Sequence, residues 1–302
     1  MAPVIQLTGI SGILVTPFDE GGNIAADRLA PIVDRAVGAG IHALTINGNT
    51  SEFYGLTINE ALAMVDAAAA TINGRAPLIG GVGRSVHEAC ALARASVASG
   101  AAAIMVHQPP DPFVSPRGLK DYVARVSDSA QGAPVLLYLR NDGIGTRTIA
   151  DLCEVDNVVG VKWATPSPEN LAQAMAASPD HVAWVCGLAE IRAPPFYAVG
   201  ARGFTSGLIN VWPERSAEIH AALDAGNLDN ASNLIDGIRT FEELRAEEMG
   251  GTNVSVVKAA LALMGEDCGP TRPPSSWPLS EAQESRLREF LNEHGIDPRS
   301  VC

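Results

Sequence analysis

Short apolar segments rich in β-branched residues recur eight times along the chain, and stretches with helical spacing separate most of them. Most of the eight lack polar alternation, which is typical of strands buried on both faces of a parallel sheet. The predicted strands are 10–15, 43–46, 77–82, 101–106, 134–139, 158–163, 182–185 and 201–205. The predicted helices among them are 27–39, 57–72, 85–98, 117–130, 146–155, 168–177 and 213–225.

This βα order predicts an α/β fold, a (β/α)8 TIM barrel, although an open doubly wound sheet is compatible with the same pattern. Three further helical segments follow at 228–249, 253–264 and 280–294, and no low-complexity linker precedes them. We therefore predict one domain, with the barrel over residues 1–226 and a C-terminal helical extension of that domain over 227–302.

The composition argues against several classes of function. The net charge is −13 and no basic run occurs, whereas nucleic acids and anionic membranes are bound mainly by clustered Lys and Arg. No stretch approaches the ~18 uncharged apolar residues of a membrane span, and the N-terminus lacks a signal-peptide pattern. The five cysteines are scattered and form no C-x-x-C pair, so neither a disulfide framework nor a metal site is indicated. We expect a cytoplasmic protein without nucleic-acid, membrane or metal partners.

The chain has only three lysines, which can be judged one by one. Lys120 follows a helical pattern beside Asp121, which indicates a solvated helix face. Lys258 lies in an apolar helical run, where a snorkelling side chain at a packing edge is expected. Lys162 ends the predicted strand V-V-G-V-K-W, and barrel strands deliver their last residues to the active-site mouth. A desolvated amine there favours Schiff-base chemistry, and a lysine paired with a loop carboxylate is the structural alternative.

Polar residues near the ends of other predicted strands suggest partners for this lysine. Tyr138 ends the preceding strand and would serve as a proton relay, or only as a packing residue. Thr50 and Ser51 follow the second strand, where they would bind an anion or merely cap a helix. Arg140 would meet a distal carboxylate or form a surface ion pair. His107 ends the fourth strand, where a structural histidine is expected rather than an acid/base.

Five segments in register resemble the dihydrodipicolinate synthase and N-acetylneuraminate lyase superfamily, and the resemblance covers nearly the whole chain. They are G-I-L-V-T-P-F (Gly12–Phe18), G-N-T-S-E-F (Gly48–Phe53), Y-L-R-N-D (Tyr138–Asp142), V-G-V-K (Val159–Lys162) and G-F-T-S-G-L-I-N-V-W-P (Gly203–Pro213). Within the superfamily, Y-L-R-N-D and the tail 255–274 look most like 5-dehydro-4-deoxyglucarate dehydratases.

The resemblance implies a (β/α)8 barrel that forms a homo-oligomer, a tetramer or dimer, and acts on a small-molecule 2-oxo acid without a cofactor other than the lysine–substrate imine. It makes Lys162 the nucleophile and Tyr138 the proton relay. It makes Thr50, with the backbone of Ser51, the clamp on the substrate carboxylate. The further substrate-binding positions that it implies are Asn49, Arg140, Thr16 and Ser206.

The sequence also departs from the superfamily pattern. Asn49 stands where the synthases carry a relay threonine, and Ser51 replaces the usual glycine of G-x-x-G-E. Leu139 and Trp163 replace polar residues, which predicts a bulkier and less polar pocket floor. The loop 107–113 lacks the tyrosine pair with which the synthases complete their relay, which disfavours the lysine-biosynthetic reaction.

The leading hypothesis is a class I lyase, a dehydratase or aldolase of a 3-deoxy-2-oxo (sugar) acid. A condensation of pyruvate with an aldehyde, as in 4-hydroxy-tetrahydrodipicolinate synthase, is one alternative. A catalytically silent barrel that binds a 2-oxo acid is the other, because one fold hosts many functions.

Overall fold

A computed structural model of the protein describes residues 7–274 and 277–296. Its eight strands close into one barrel in sequence order, and the strand pairs from β3 to β8 are parallel. The strands are β1 Gly9–Ile13, β2 Ala43–Ile46, β3 Leu78–Val82, β4 Ala103–His107, β5 Val135–Leu139, β6 Val158–Trp163, β7 Ala183–Cys186 and β8 Gly203–Ser206. The prediction of a (β/α)8 barrel is confirmed, and the open sheet is excluded.

Twelve α-helices lie within the described residues. They are α1 Ala30–Gly38, α2 Ile58–Ile72, α3 Val86–Ala98, α4 Pro116–Ser129, α5 Thr146–Cys153, α6 Pro168–Ala177, α7 Ala193–Ala198, α8 Pro213–Asp224, α9 Leu228–Asp236, α10 Arg239–Gly250, α11 Asn253–Leu263 and α12 Glu281–Glu293. Thr57, Ser85 and Ser280 start their helices with reciprocal capping boxes, which satisfy backbone N–H groups that the first turn leaves unpaired.

Two helices differ from the predictions. Helix α7 was not predicted, because its A-P-P-F-Y-A run is typical of a helix breaker, although proline is tolerated in a first helical turn. The segment 228–249, predicted as one helix, is divided into α9 and α10, with Gly237 and Ile238 between them.

Contacts group the described chain into two compact units. The first comprises 7–11, His42–Thr45 and Gly74–Thr205, and the second comprises Gly12–Ile41, Ile46–Asn73 and the described residues from 206 onward. The predicted organisation, a barrel over 1–226 with an extension over 227–302, stays a prediction.

In the first unit, register decides which side chains share a face. His107 pairs with Tyr138 across β4 and β5, and Tyr138 pairs with Lys162 across β5 and β6. Paired residues of parallel strands point to the same side of the sheet. Tyr138 belongs to a buried cluster with Leu136, Met105 and other strand residues. The three polar side chains therefore project on one face, at the C-terminal ends of three adjacent strands.

Candidate active site

Lys162 and Tyr138 lie together in the first unit, as the sequence predicted from their strand ends. Lys162 is only 4% exposed, and its Nζ lies 3.9 Å from the centroid of the Tyr138 ring. Tyr138 is also buried. Strand pairing fixes both backbones, so the amine and the phenol ring meet without depending on a mobile loop.

The surroundings of Lys162 disfavour its charged form. Its pKa is lowered from 10.5 to about 7, first by burial and second by the positive charge of Arg140, while Cys186 opposes the shift. An amine with a pKa near the ambient pH is neutral in roughly half of the molecules. The neutral amine is the form that attacks a carbonyl carbon.

Arg140 is exposed just beyond the end of β5. Within residues 7–274 and 277–296, its guanidinium has no hydrogen bond or ion pair. The charge is thus available to a ligand, and it lies near enough to Lys162 to lower the pKa of the amine.

The side chain of Gln108 anchors the backbone at Arg140 and Asn141, a role that was not predicted from the sequence. Its Oε1 accepts the N–H groups of Arg140 at 2.7 Å and of Asn141 at 2.8 Å. Its Nε2 donates to the Asn141 carbonyl at 3.0 Å, and its own N–H donates to the Tyr138 carbonyl at 3.0 Å. No pattern in H-Q-P-P predicts this role, because Arg140 and Asn141 lie 32 and 33 positions away.

Gly187 is a second residue that the sequence analysis missed. A Cβ on this glycine would lie 3.0 Å from the Lys162 Cγ and 2.9 Å from the Trp163 carbonyl oxygen. The absence of a side chain at 187 therefore leaves room for the Lys162 stem.

His107 is buried, and its ring contacts the Tyr138 ring edge-on at 5.1 Å between centroids. This contact fits the structural histidine that was expected. It also fixes one side of the phenol against which the amine packs.

In the second unit, the hydroxyls of Thr16 and Ser51 hold a turn together. Thr16 Oγ1 donates to the Ser51 carbonyl at 2.7 Å. Ser51 Oγ donates to the Leu14 carbonyl at 2.5 Å and accepts the Gly48 N–H at 3.1 Å. The Ser51 N–H donates to the Gly48 carbonyl. Both the hydroxyl and the N–H of Ser51 are therefore engaged inside the protein.

Thr50 differs from its neighbours in this turn. It is 6% exposed, and no hydrogen bond to its side chain or N–H occurs among the residues that the structure describes. The backbone carbonyl of Asn49 accepts a hydrogen bond from the Glu52 N–H at 2.9 Å. Within the predicted carboxylate clamp, the hydroxyl and the N–H of Thr50 are therefore the groups that can donate to a ligand.

Ser206 follows the pattern of Ser51. Its Oγ shares a hydrogen bond of 3.1 Å with Ser216 and accepts the Ile209 N–H at 3.2 Å. The roles predicted for Thr16, Asn49, Thr50, Ser51 and Ser206 in substrate binding stay predictions.

Two interpretations of the sequence were wrong. Leu139 and Trp163 do not form a pocket floor, because each follows Tyr138 or Lys162 by one residue and so projects from the opposite face. Trp163 instead packs against Trp184, with centroids 6.1 Å apart. Lys258 does not snorkel to solvent, since it is 4% exposed and paired with buried Glu52. Lys120 is exposed, as predicted.

Comparison with known proteins supplies the family. The family model described as the dihydrodipicolinate synthetase family matches residues 6–294. The chain belongs to the dihydrodipicolinate synthetase family. Members of this family are lyases, and so is this chain.

Relatives within the dihydrodipicolinate synthetase family carry two kinds of name. A probable 5-dehydro-4-deoxyglucarate dehydratase of Acinetobacter baumannii is 28% identical over 94% of each chain. A 4-hydroxy-tetrahydrodipicolinate synthase of Exiguobacterium sp. is 31% identical over 95% of this chain and 98% of the relative. The solved dihydrodipicolinate synthase of Oceanobacillus iheyensis superposes with a TM-score of 0.90 at 36% identity, covering 96% of this chain and 97% of that one.

Within residues 7–274 and 277–296, no helix of this family member is long and apolar enough to cross a membrane. The same residues hold no group of three or more His, Cys, Asp or Glu side chains that would bind a metal ion.

Proposed function

We propose that the protein is a class I lyase in which Lys162 forms an imine with the carbonyl carbon of a 2-oxo acid. The observation that carries the proposal is the buried amine of Lys162, whose pKa is lowered to about 7 and which packs on the ring of Tyr138. The most suitable substrates are 3-deoxy-2-oxo (sugar) acids, which a dehydratase or aldolase would cleave at a C–O or C–C bond.

The chemistry follows from the neutral amine. Its nitrogen attacks the 2-oxo carbon, the carbinolamine loses one water molecule, and a C=N bond replaces the C=O bond. In an aldol cleavage the protonated imine accepts the electron pair of the C3–C4 bond, and the C4 hydroxyl loses its proton as the aldehyde forms. In a dehydration the imine accepts the electron pair of a C3–H bond as that proton leaves, and the resulting enamine expels the C4 hydroxyl as water. Hydrolysis of the imine then releases the product and restores the Lys162 amine. Tyr138 would carry protons to and from the oxygen atoms involved, and no further cofactor is needed for these steps.

Arg140 supports a substrate with a second acidic group. Its exposed guanidinium has a matching fork of donors for a carboxylate. In this proposal Thr50 binds the carboxylate next to the imine, with Asn49, Ser51, Thr16 and Ser206 as supporting residues implied by the superfamily. A homo-oligomeric state and a cytoplasmic location also stay predictions.

A condensation like that of 4-hydroxy-tetrahydrodipicolinate synthase is the second candidate. The 31% identity to a synthase so named favours it. The loop 107–113, which lacks tyrosine, disfavours it.

Borohydride trapping tests the imine directly. We expect reduction in the presence of pyruvate or a 3-deoxy-2-oxo acid to add the corresponding mass to the peptide that contains Lys162. Lys120 and Lys258 serve as internal controls and should stay unmodified, and Lys162→Met should abolish labelling. An unlabelled Lys162 peptide across a panel of 2-oxo acids would overturn the proposal.

A pH profile tests the electrostatic effect of Arg140. The neutral amine reacts, so the rate of trapping with pyruvate should rise with pH and level off above about pH 7. Arg140→Met removes a positive charge, which should raise the pKa of Lys162 and move the rising limb to higher pH. Arg140→Lys keeps the charge and should leave the limb in place. A limb that moves to lower pH in Arg140→Met contradicts the prediction.

A further inference from the structure

We propose that Glu52, Lys258 and Arg272 form a positioning network that fixes the turn 47–52 and presents Thr50 to the substrate carboxylate. This inference rests on the proposed function, which assigns carboxylate binding to Thr50. None of the three residues is expected to touch the substrate.

The turn has a left-handed residue at each end. Asn47 has φ 58° and Glu52 has φ 55°. This conformation is unfavourable for residues with a Cβ atom, so side-chain contacts must hold it in place. Asn47 is anchored by its Nδ2, which donates to the Ala61 carbonyl of α2 at 2.9 Å.

Glu52 is anchored through both oxygens of its buried carboxylate. Oε1 lies 2.7 Å from Lys258 Nζ, and Oε2 accepts a hydrogen bond from the backbone N–H of Arg272 at 2.7 Å. The side chain of Glu52 is fully buried. Lys258 also donates to the Pro270 carbonyl at 2.9 Å, so the ammonium is held from two sides.

Arg272 extends the network to the start of α2. Its guanidinium pairs with Glu60, at 2.7 Å and 3.0 Å, and donates to the Gly55 carbonyl at 3.3 Å. It also lies over the ring of Phe18, with Cζ 4.0 Å from the centroid. Lys258 Nζ lies 4.2 Å from the same centroid. One aromatic ring of the β1–α1 connection therefore contacts both cations.

The burial of Glu52 and Lys258 supports a positioning role rather than a gain in stability. A buried ion pair recovers its cost of desolvation only when its geometry is fixed, so it contributes little net stability, and in some proteins such a pair instead specifies one conformation. The network joins Glu52 to a residue 220 positions away, and what it fixes is the left-handed end of the turn.

The experiment compares Glu52→Gln, Lys258→Met and the double variant. Each single change leaves one buried partner without its counter-charge, and the double change removes both charges. We expect each single variant to lower Tm and to raise KM for the 2-oxo acid at least tenfold, with kcat changed less than about threefold. The double variant should recover much of the Tm, while its KM stays raised.

Two controls separate positioning from general destabilisation. Ile235→Ala truncates a buried side chain of α9, a helix that packs against α8, and should lower Tm without changing KM. Arg272→Met keeps the backbone N–H bond to Glu52 and loses the guanidinium contacts with Glu60, Gly55 and the Phe18 ring, so it should fold and raise KM by a smaller factor. A KM that follows Tm through all these variants, or does not change, would overturn the inference.

Hydrogen–deuterium exchange without substrate tests the turn independently of activity. Peptides that cover 47–56 should exchange faster in Glu52→Gln than in the wild type, and Ile235→Ala should not show this local change. Unchanged exchange in that segment refutes the positioning network even if imine formation is confirmed. Failure of borohydride to label wild-type Lys162 refutes the proposed function instead, and leaves the exchange result standing.

Discussion

Replacing Tyr138 by phenylalanine is expected to reduce kcat by about 10²- to 10⁴-fold, the usual contribution of a positioned acid/base. The ring that packs on Lys162 is preserved in this variant, so the burial of the amine and the lowering of its pKa should persist. Only the proton-carrying hydroxyl is lost. Steady-state turnover of the best 2-oxo acid substrate provides the measurement.

Tyr122→Phe is the matched control, because Tyr122 is a partly buried tyrosine of α4 outside the proposed site. Its kcat should equal that of the wild type. Borohydride should still label Lys162 in Tyr138→Phe after long incubation, which would locate the defect in proton transfer rather than in the amine. A kcat within threefold of the wild type would assign Tyr138 to packing alone.

Replacing Gly269 by alanine is expected to lower the free energy of unfolding by about 3–5 kcal/mol, a large part of the stability of an ordinary domain. Gly269 has φ +73°, and an added Cβ would lie 2.0 Å from the Phe18 carbonyl oxygen. The Phe18 N–H donates to the Cys268 carbonyl at 2.8 Å, so the two backbones cannot separate without losing this bond. Denaturant unfolding measures the effect.

Gly226→Ala is the control for the backbone term. Gly226 has φ +70°, almost the same value, but an added Cβ would meet no atom within 4 Å. This variant should lose only about 1–2 kcal/mol, the cost of the left-handed conformation. Equal losses in the two variants would show that the contact with Phe18 does not restrict residue 269.

Two kinds of contact hold the parts of the protein that these variants change. Lys162 and Tyr138 are held by strand pairing, which tolerates little change of position. The turn 47–52 and Phe18 are instead held by residues from the segment 258–272, through side-chain charges and backbone contacts. Substitutions in the tail are therefore expected to affect substrate binding even where they lie far from the reacting amine in sequence.

The sequence by itself determined the alternating strands and helices, because strand and helix periodicities are local. It favoured a barrel, and the structure excluded the open sheet that the same pattern allows. It also predicted that Lys162 and Tyr138 meet, since both lie at the ends of strands that are consecutive in the chain, and the structure brings them together. The five segments in register were sufficient to predict the family, and the match over residues 6–294 confirmed it.

Only the tertiary structure decided the contacts between residues distant in sequence. The burial of Lys258 against Glu52, the hold of Gln108 on the Arg140 backbone and the space that Gly187 leaves for Lys162 have no local pattern. Trp163 and Lys162 are adjacent in one strand, so their side chains point to opposite faces of the sheet. The prediction of a pocket floor considered the residue types and overlooked this alternation. Periodicity reports which face of an element is buried, whereas the partner that buries it depends on how the whole chain packs.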